Sequence, residues 1–153
     1  MVFNDVFSEK QVELYNAQNF AAADMNRLFR NWGFRQDNQN VVGDRGLGEI
    51  MLMKVGSSSQ AKNFPFWMQL TAEQINQDHP LTFGLKNIRL KTPGSLRPEE
   101  NPDGVRLTPL LTTAASGGTL SVREFTGHTQ PELAAMFKGN EGKYTLLAGR
   151  RKI

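Results

Sequence analysis

Residues 8–33 carry the pattern that most constrains the fold of this chain, because they predict one long helix with a signal at each end. Ser8 is a good N-cap, and Gln11, three residues later, completes a capping box. Gly33 lies where the chain must turn left-handed to end the helix. A helix of about 24 residues is roughly 36 Å long, which exceeds most elements of a domain of this size. We therefore expect part of it to leave its own domain and to pack against a partner.

The apolar residues of this segment share one face of the predicted helix. They follow alternate spacings of four and three residues, which is typical of a coiled-coil seam shorter than three heptads. Such a seam is too short for a free coiled coil and suits packing on a sheet or on a neighbouring subunit. An apolar arm, residues 1–7, precedes the helix. The predicted partner interface consists of Phe3, Phe7, Leu14, Gln18, Ala21, Met25, Leu28 and Trp32.

The composition predicts one soluble domain over residues 1–153. The chain has no cysteine, which excludes disulfides, thiolate catalysis and cysteine-ligated zinc and indicates a compartment that is not oxidising. Residues 1–7 contain no Lys or Arg, so no secretory signal is predicted. No segment approaches the ~20 apolar residues that a membrane span requires. We expect synthesis in the cytoplasm and no membrane contact.

Residues 49–153 predict a β-rich body. Pro65 suggests that residues 64–70 form either an edge strand or a rigid extended segment. Leu81, Phe83 and Leu85 alternate as in a strand with one buried face. Residues 105–113 and 119–125 are predicted to pair as a hairpin with a longer loop. Further strands are predicted over 49–55, 88–90 and 143–148.

A short helix is predicted near the end of this body, over residues 130–138. Thr129 and Glu132 form its capping box, Pro131 lies in its first turn and Gly139 ends it. The order of elements predicts an α+β fold. Its sheet is expected to be a mainly antiparallel β-sandwich or partly open barrel of about six strands, with one long N-terminal helix and one short C-terminal helix.

Positive charge is concentrated in the second half of the chain. Residues 1–79 carry 7 Lys and Arg against 9 Asp and Glu, a balance of −2, whereas residues 80–153 carry 11 against 6, a balance of +5. A basic strip can neutralise nucleic-acid phosphates, but no aromatic residue lies between Phe83 and Phe125 to stack on bases. A solvated surface is the alternative interpretation. The candidate nucleic-acid contacts are Lys86, Arg89, Lys91, Arg97, Arg150, Arg151 and Lys152.

No motif predicts catalysis, a cofactor or a metal site. The glycine-rich residues 43–48 resemble a phosphate-binding loop only superficially, because a strand follows where the anion would need a helix N-terminus. The two histidines, His79 and His128, stand without the serine motif of a hydrolase. A site assembled from Arg123, Glu124 and His128 is the remaining enzymatic possibility.

These features predict a non-enzymatic structural or assembly subunit that forms oligomers. A small, cysteine-free, amide-rich and β-rich chain is typical of the capsid-decorating, neck or tail proteins of a virus or phage particle. The expected partners are copies of itself or other subunits of an assembly. A basic nucleic-acid-binding accessory protein is the alternative function, and a small enzyme or toxin domain is the third.

Overall fold

The structure is a computed structural model that describes residues 2–3, 29–99 and 104–152. Its described part consists of short strands, a 3-10 helical turn and one helix of seven residues. In chain order the elements are β1 (Val2–Phe3), β2 (Phe34–Gln36), β3 (Asn40–Asp44), β4 (Gly48–Val55), β5 (Ser58–Thr71), β6 (Asn87–Lys91), β7 (Leu96–Pro98), β8 (Val105–Thr112), β9 (Gly117–Ser121), the 3-10 turn (Val122–Thr126), α1 (Gln130–Met136) and β10 (Thr145–Lys152).

Within the part of the chain that the structure describes, the strands form four small antiparallel sheets. Two sheets have three strands each, in the orders β4-β5-β6 and β1-β10-β8. The other two are the pairs β2–β7 and β3–β9. The β4–β5 hairpin closes through Gly56, whose φ of 63° suits the tight turn between Val55 and Ser58, since hairpin turns of two residues require positive φ.

The predicted fold class is wrong. Strands make up half of the described residues and are divided among small separate sheets, so these residues form no single sandwich or barrel. The predicted helix over 8–33 falls mainly on residues 4–28, which lie outside the described residues. In the described part of that segment only Phe29 and Arg30 are helical, and the chain turns left-handed at Gly33, with φ of 83°. The described residues therefore contain no long N-terminal helix.

The predicted strand partners are also wrong. Residues 105–113 and 119–125 do not pair with each other, because β8 pairs with β10 and β9 pairs with β3. Strand β5 is the centre of its sheet and not an edge. Pro65 is accommodated there because the register of β4 on β5 shifts between Gly48 and Glu49, and proline inside a sheet is found at such irregularities.

Several predicted elements are confirmed near their predicted bounds, among them the strand over 88–90, which is part of β6. The strand expected over 49–55 is β4, and the helix expected over 130–138 is α1, which ends two residues earlier. The capping box of α1 is present, with the Thr129 N–H donating to Glu132 Oε2 at 2.7 Å. This hydrogen bond holds the pKa of the Glu132 carboxyl below its ordinary value.

The core consists of three apolar clusters. In the cluster under α1, the Phe66 ring centroid lies 5.0 Å from that of Phe125 and 5.2 Å from that of Phe137. Position 43 requires glycine, because a Cβ there would lie 2.9 Å from the Phe66 ring. The buried members of the three clusters include Met68, Leu70, Leu110 and Leu146 in the first, Val41, Met53, Phe64, Phe66 and Leu133 in the second, and Phe29, Phe34, Leu96 and Ala148 in the third.

A buried carboxylate ties β3 to the loop between β8 and β9. Asp44 is fully buried and accepts hydrogen bonds from the Gly46 N–H at 2.8 Å, the Ser116 hydroxyl at 2.7 Å and the Ala114 N–H at 3.1 Å. A buried charge is tolerated only when its oxygens are satisfied in this way. The loop is thereby held at the end of β3, and β9 continues from it along β3 rather than back along β8.

Tyr144, just before β10, adds a second polar link to the same region. Its N–H donates to the Thr113 hydroxyl at 2.9 Å, and its own hydroxyl donates to Glu141 Oε2 at 2.8 Å. Burial raises the pKa of the Tyr144 phenol, and the hydrogen bond to Glu141 raises it further. The phenol is thus held in its protonated form in the folded chain.

We predict that Asp44→Ala lowers the free energy of unfolding by about 3 kcal/mol, because two backbone N–H groups and a hydroxyl lose their acceptor. Asp44→Asn should cost less, since one amide oxygen still accepts. Urea unfolding followed by circular dichroism measures both. The exposed Asp78→Ala is the control and should change stability by less than about 0.5 kcal/mol. A loss as small for Asp44→Ala would show that the loop is held by other contacts.

The raised pKa of Tyr144 predicts a stability that falls in alkaline solution. Since the folded state keeps the phenolic proton longer, its contribution is fully present below the ordinary pKa of 10.0 and is lost as the pH rises through the folded-state pKa. Urea unfolding at a series of pH values should show this loss, and Tyr144→Phe should remove it. In a Tyr15→Phe background, phenolate absorbance should report Tyr144 alone, because the chain has two tyrosines. A titration at the ordinary value would contradict the prediction.

Candidate functional site

A compact turn between β5 and β6 is built around one buried threonine. The Thr82 side chain is 1% exposed, and its hydroxyl donates to the Asn76 carbonyl at 2.6 Å. The N–H groups of Thr82 and Phe83 both donate to the His79 carbonyl, at 3.0 and 2.8 Å. We call residues 77–85 the Phe83 turn. The backbone of the Phe83 turn is held by hydrogen bonds between polar groups of residues 76–85, so its conformation does not require a partner.

Gln77 closes the Phe83 turn from the other side. Its Nε2 donates to the Leu85 carbonyl at 2.9 Å, and its Oε1 accepts the Gly84 N–H at 3.2 Å. Gly84 has a φ of 78°, a conformation that glycine adopts without strain. One amide side chain therefore spans the turn and holds its two ends together.

This fixed turn presents three large apolar side chains to solvent. Leu81 is 56% exposed, Phe83 76% and Leu85 41%. The prediction that they alternate on the buried face of a strand is wrong, because the backbone there follows consecutive turns and buries only the polar Thr82 among them. Exposed apolar groups clustered on a rigid element are typical of an interaction site.

A second apolar surface lies on β4. Ile50 is 69% exposed and Leu52 77% exposed, while the alternate residue Met53 is buried in the cluster that includes Leu133 of α1. Helix α1 thus packs against the inner face of the β4–β5 hairpin, and the outer face is uncovered among the described residues. This surface is called the β4 outer face, with Ile50, Leu52 and Lys54 as its β4 residues.

An open trough of about 770 Å³ runs beside Ile50. Within it the Arg89 guanidinium forms an ion pair with the Glu49 carboxylate, using both carboxylate oxygens. The hydrogen bond to Glu49, and then its charge, raise the pKa of Arg89. The Thr71 hydroxyl donates to Gln74 Oε1 at 2.8 Å. Among the described residues that line the trough, the carboxylate of Glu49 and the hydroxyl of Thr71 are therefore each bonded to another side chain.

Most of the partner interface predicted from the sequence lies outside the described residues, namely Phe7, Leu14, Gln18, Ala21, Met25 and Leu28. Phe3 belongs to β1, which pairs with β10 opposite Leu147. Trp32 is half-buried, and its ring centroid lies 6.0 Å from that of Phe29 and 6.4 Å from that of Phe34. In the described structure Trp32 therefore contributes to a core cluster.

The basic residues proposed as nucleic-acid contacts are spread over three sheets. Arg89 and Lys91 share the exposed side of β6, but Arg89 is paired with Glu49 and the Lys91 ammonium lies 3.9 Å from the centroid of the Trp67 ring. Arg97 belongs to β7 and Arg150 to β10. Lys86 is exposed beside the Phe83 turn, and Arg151 and Lys152 follow in the backbone of β10. Nucleic-acid binding stays a prediction.

The residues of the enzymatic alternative only partly come together. His128 Nδ1 lies 3.2 Å from Glu124 Oε2, with both side chains more than one third exposed. His128 also lines a cavity of about 210 Å³ with Phe64, Trp67 and other residues, whereas Arg123 and Glu124 do not line it. Among the described residues, no three His, Asp or Glu side chains form a group that could hold a metal ion. None of the described helices has the length and apolar character of a membrane span.

Sequence patterns missed both apolar surfaces, although signals for them exist. Residues 58–62, which pair with β4, are polar apart from Ala61. A polar strand is expected at the surface, so its neighbour β4 could have been expected to be partly exposed. The turn residues Asp78, Pro80 and Gly84 surround the apolar residues of the Phe83 turn. The alternation of Leu81, Phe83 and Leu85 is equally typical of a strand, and it led to the wrong prediction.

We predict that Gln77→Ala loosens the Phe83 turn without unfolding the chain. Two hydrogen bonds to the turn backbone are lost, so hydrogen exchange of the Gly84 amide should become at least about tenfold faster while global stability falls by about 1 kcal/mol. Residue-resolved hydrogen exchange measures the first effect and urea unfolding the second. The exposed Gln60→Ala is the matched control and should change neither. An unchanged Gly84 exchange rate in Gln77→Ala would show that this side chain does not hold the turn.

Comparison with known proteins assigns the chain to a family. Residues 2–151 match the family described as an ABC-type uncharacterized transport system. No curated protein and no solved structure matches the chain. The family match extends over nearly all of the 153 residues. The chain therefore belongs to this family of ABC transport auxiliary proteins.

Proposed function

We propose that this chain is a non-enzymatic accessory domain of an ABC-type transport system and that it binds another protein subunit of that system through the Phe83 turn. Family membership supports the transport context. The observation that carries the binding role is the exposure of Leu81, Phe83 and Leu85 on a backbone fixed by its own hydrogen bonds. The family match gives no support to the predicted role in a virus particle, so we propose a transport system as the assembly.

Preorganisation supports binding by the turn. A loop that must be ordered during association loses affinity to conformational entropy, whereas a loop ordered beforehand does not. Buried aromatic side chains also contribute strongly to binding at protein interfaces. Phe83, at 76% exposure, has about three quarters of its surface available for burial by a partner.

The charges around the turn favour a protein over an anionic lipid surface as the partner. Asp78 and Lys86 flank the apolar residues with opposite signs, and the nearby Arg89 is neutralised by Glu49. Recognition of anionic lipid relies on clusters of four to eight basic residues. A mixed-charge rim around an apolar centre is the usual anatomy of a protein interface.

We predict that Phe83→Ser weakens binding to the transporter subunit by at least about tenfold, which corresponds to about 1.4 kcal/mol. The partners to test are the subunits of an ABC transporter from the same organism, each purified and titrated against the full chain by calorimetry. The chain alone should hydrolyse no ATP. Leu52→Ser is the matched control, since Leu52 is equally exposed but lies on the β4 outer face, and its affinity should equal that of wild type.

Two results would overturn the proposal. The wild-type chain could bind none of the transporter subunits, or Phe83→Ser could bind as tightly as wild type. Circular dichroism of each variant guards against a loss of fold, which is not expected because Phe83 contributes little to the core.

A further inference from the structure

Among the described residues, strand β4 is an eight-residue edge of its sheet. In the described residues it is hydrogen-bonded to β5 alone, so the other side of its eight-residue backbone has no partner strand. Edge strands are commonly protected by proline, by inward charges or by short length. Over its eight residues β4 has no proline and two charges, Glu49, which is paired with Arg89, and Lys54. Such an edge is a template for another strand.

We propose that two copies of this chain pair through β4, antiparallel and about a two-fold axis centred on Leu52. The proposal uses the β4 edge and not the Phe83 turn, so it is independent of the proposed function. A two-fold pair is self-complementary, because the same patch serves on both copies. The outer faces of the two β4–β5 hairpins would then form one continuous surface.

The symmetry restricts the possible registers. The side chains of two directly opposite residues in an antiparallel pair point to the same side of the sheet. A two-fold pair of β4 strands must therefore place outer-face residues opposite outer-face residues, which requires the axis to pass through a residue position and not between two residues. Centring on Leu52 opposes Leu52 to its own copy, Ile50 to Lys54 and Met51 to Met53. It also pairs β4 from Glu49 to Val55 and leaves out only Gly48, next to the register shift on β5. A centre at Met51 pairs as many residues but needs Gly48, and a centre at Met53 pairs only Met51 to Val55.

The charges of β4 agree with this register. Lys54 lies opposite Ile50 of the second copy, and Glu49 lies opposite Val55, so no like charges face each other across the pair. The two Lys54 side chains are four residues apart along the strand direction, roughly 14 Å. This separation exceeds the Debye length of about 8 Å at physiological salt. The apolar Leu52 pair at the centre is therefore not opposed by charge repulsion, and a second copy suits the edge.

Disulfide trapping tests the contact and its register. The chain has no cysteine, so each introduced thiol is unique. Opposed Cα atoms about 5 Å apart fall within the range that a disulfide bridges. Leu52→Cys should form a covalent dimer under mild oxidation. Leu81→Cys, an exposed leucine of the Phe83 turn, is the matched control and should form no more than the collisional background.

The same method reads the register from two further variants. Ile50→Cys and Lys54→Cys should cross-link poorly alone but rapidly when mixed, since these positions oppose each other only between copies. Efficient self-linking of Ile50→Cys would overturn the proposed register. Leu52→Cys cross-linking no faster than Leu81→Cys would overturn the pairing itself.

Substitution of Leu52 by residues of opposite charge provides a second test that forms no covalent bond. Light scattering on a size-exclusion column should show wild type shifting from monomer to dimer as its concentration rises. Leu52→Lys and Leu52→Glu should each remain monomeric, because like charges would meet at the two-fold axis, and their equimolar mixture should regain the dimer. Both variants should fold, since Leu52 is 77% exposed, and circular dichroism checks this. Wild type that stays monomeric at every concentration, or a mixture that stays monomeric, would overturn the proposal.

The outcome is separable from that of the proposed function. Leu52→Lys should lose the dimer and still bind the transporter subunit, while Phe83→Ser should dimerise as wild type does. A Phe83→Ser variant that loses the dimer would show that the β4 edge is not the interface.

Discussion

The buried carboxylate of Asp44 is the interaction on which the arrangement of the sheets depends. Its oxygens accept from the Gly46 N–H, the Ser116 hydroxyl and the Ala114 N–H, and so join the end of β3 to a loop seventy residues later in the chain. The adjacent Arg45 donates to the carbonyls of Ala134 and Phe137, at 2.8 and 2.6 Å. Two consecutive charged residues thereby position the β8–β9 loop and the end of α1.

This arrangement determines which apolar residues are covered. With α1 held by Arg45, the helix packs on the inner face of the β4–β5 hairpin, where Met53 and Phe64 are buried. No described element remains to cover the outer face, so Ile50 and Leu52 stay in solvent. The Phe83 turn is a separate case, because its exposure follows from local hydrogen bonds around Thr82 and Gln77 and not from the sheet arrangement.

The two surfaces suit different roles in an assembly. The Phe83 turn is a small apolar element held by its own hydrogen bonds, which is the basis of its proposed role as a contact to a different protein. The β4 edge offers backbone hydrogen bonds and side chains that complement their own copies, which fits a symmetric contact. Membership in a family of ABC transport auxiliary proteins is the basis on which we propose a subunit of a transport system as the partner.

Local patterns in the sequence determined the elements whose causes lie within a few residues. The capping box of Thr129 and Glu132 specified α1, the run from Glu49 to Val55 specified β4, and glycine specified the left-handed turn at residue 33. Only the tertiary structure decided which strands pair, because β8 and β9 are separated by a contact to the distant Asp44. It also decided that Arg89 is neutralised by Glu49 and that Leu81, Phe83 and Leu85 are exposed. Alternation along a strand predicts that two faces differ, but burial depends on whether another element covers a face, and that element lies elsewhere in the chain.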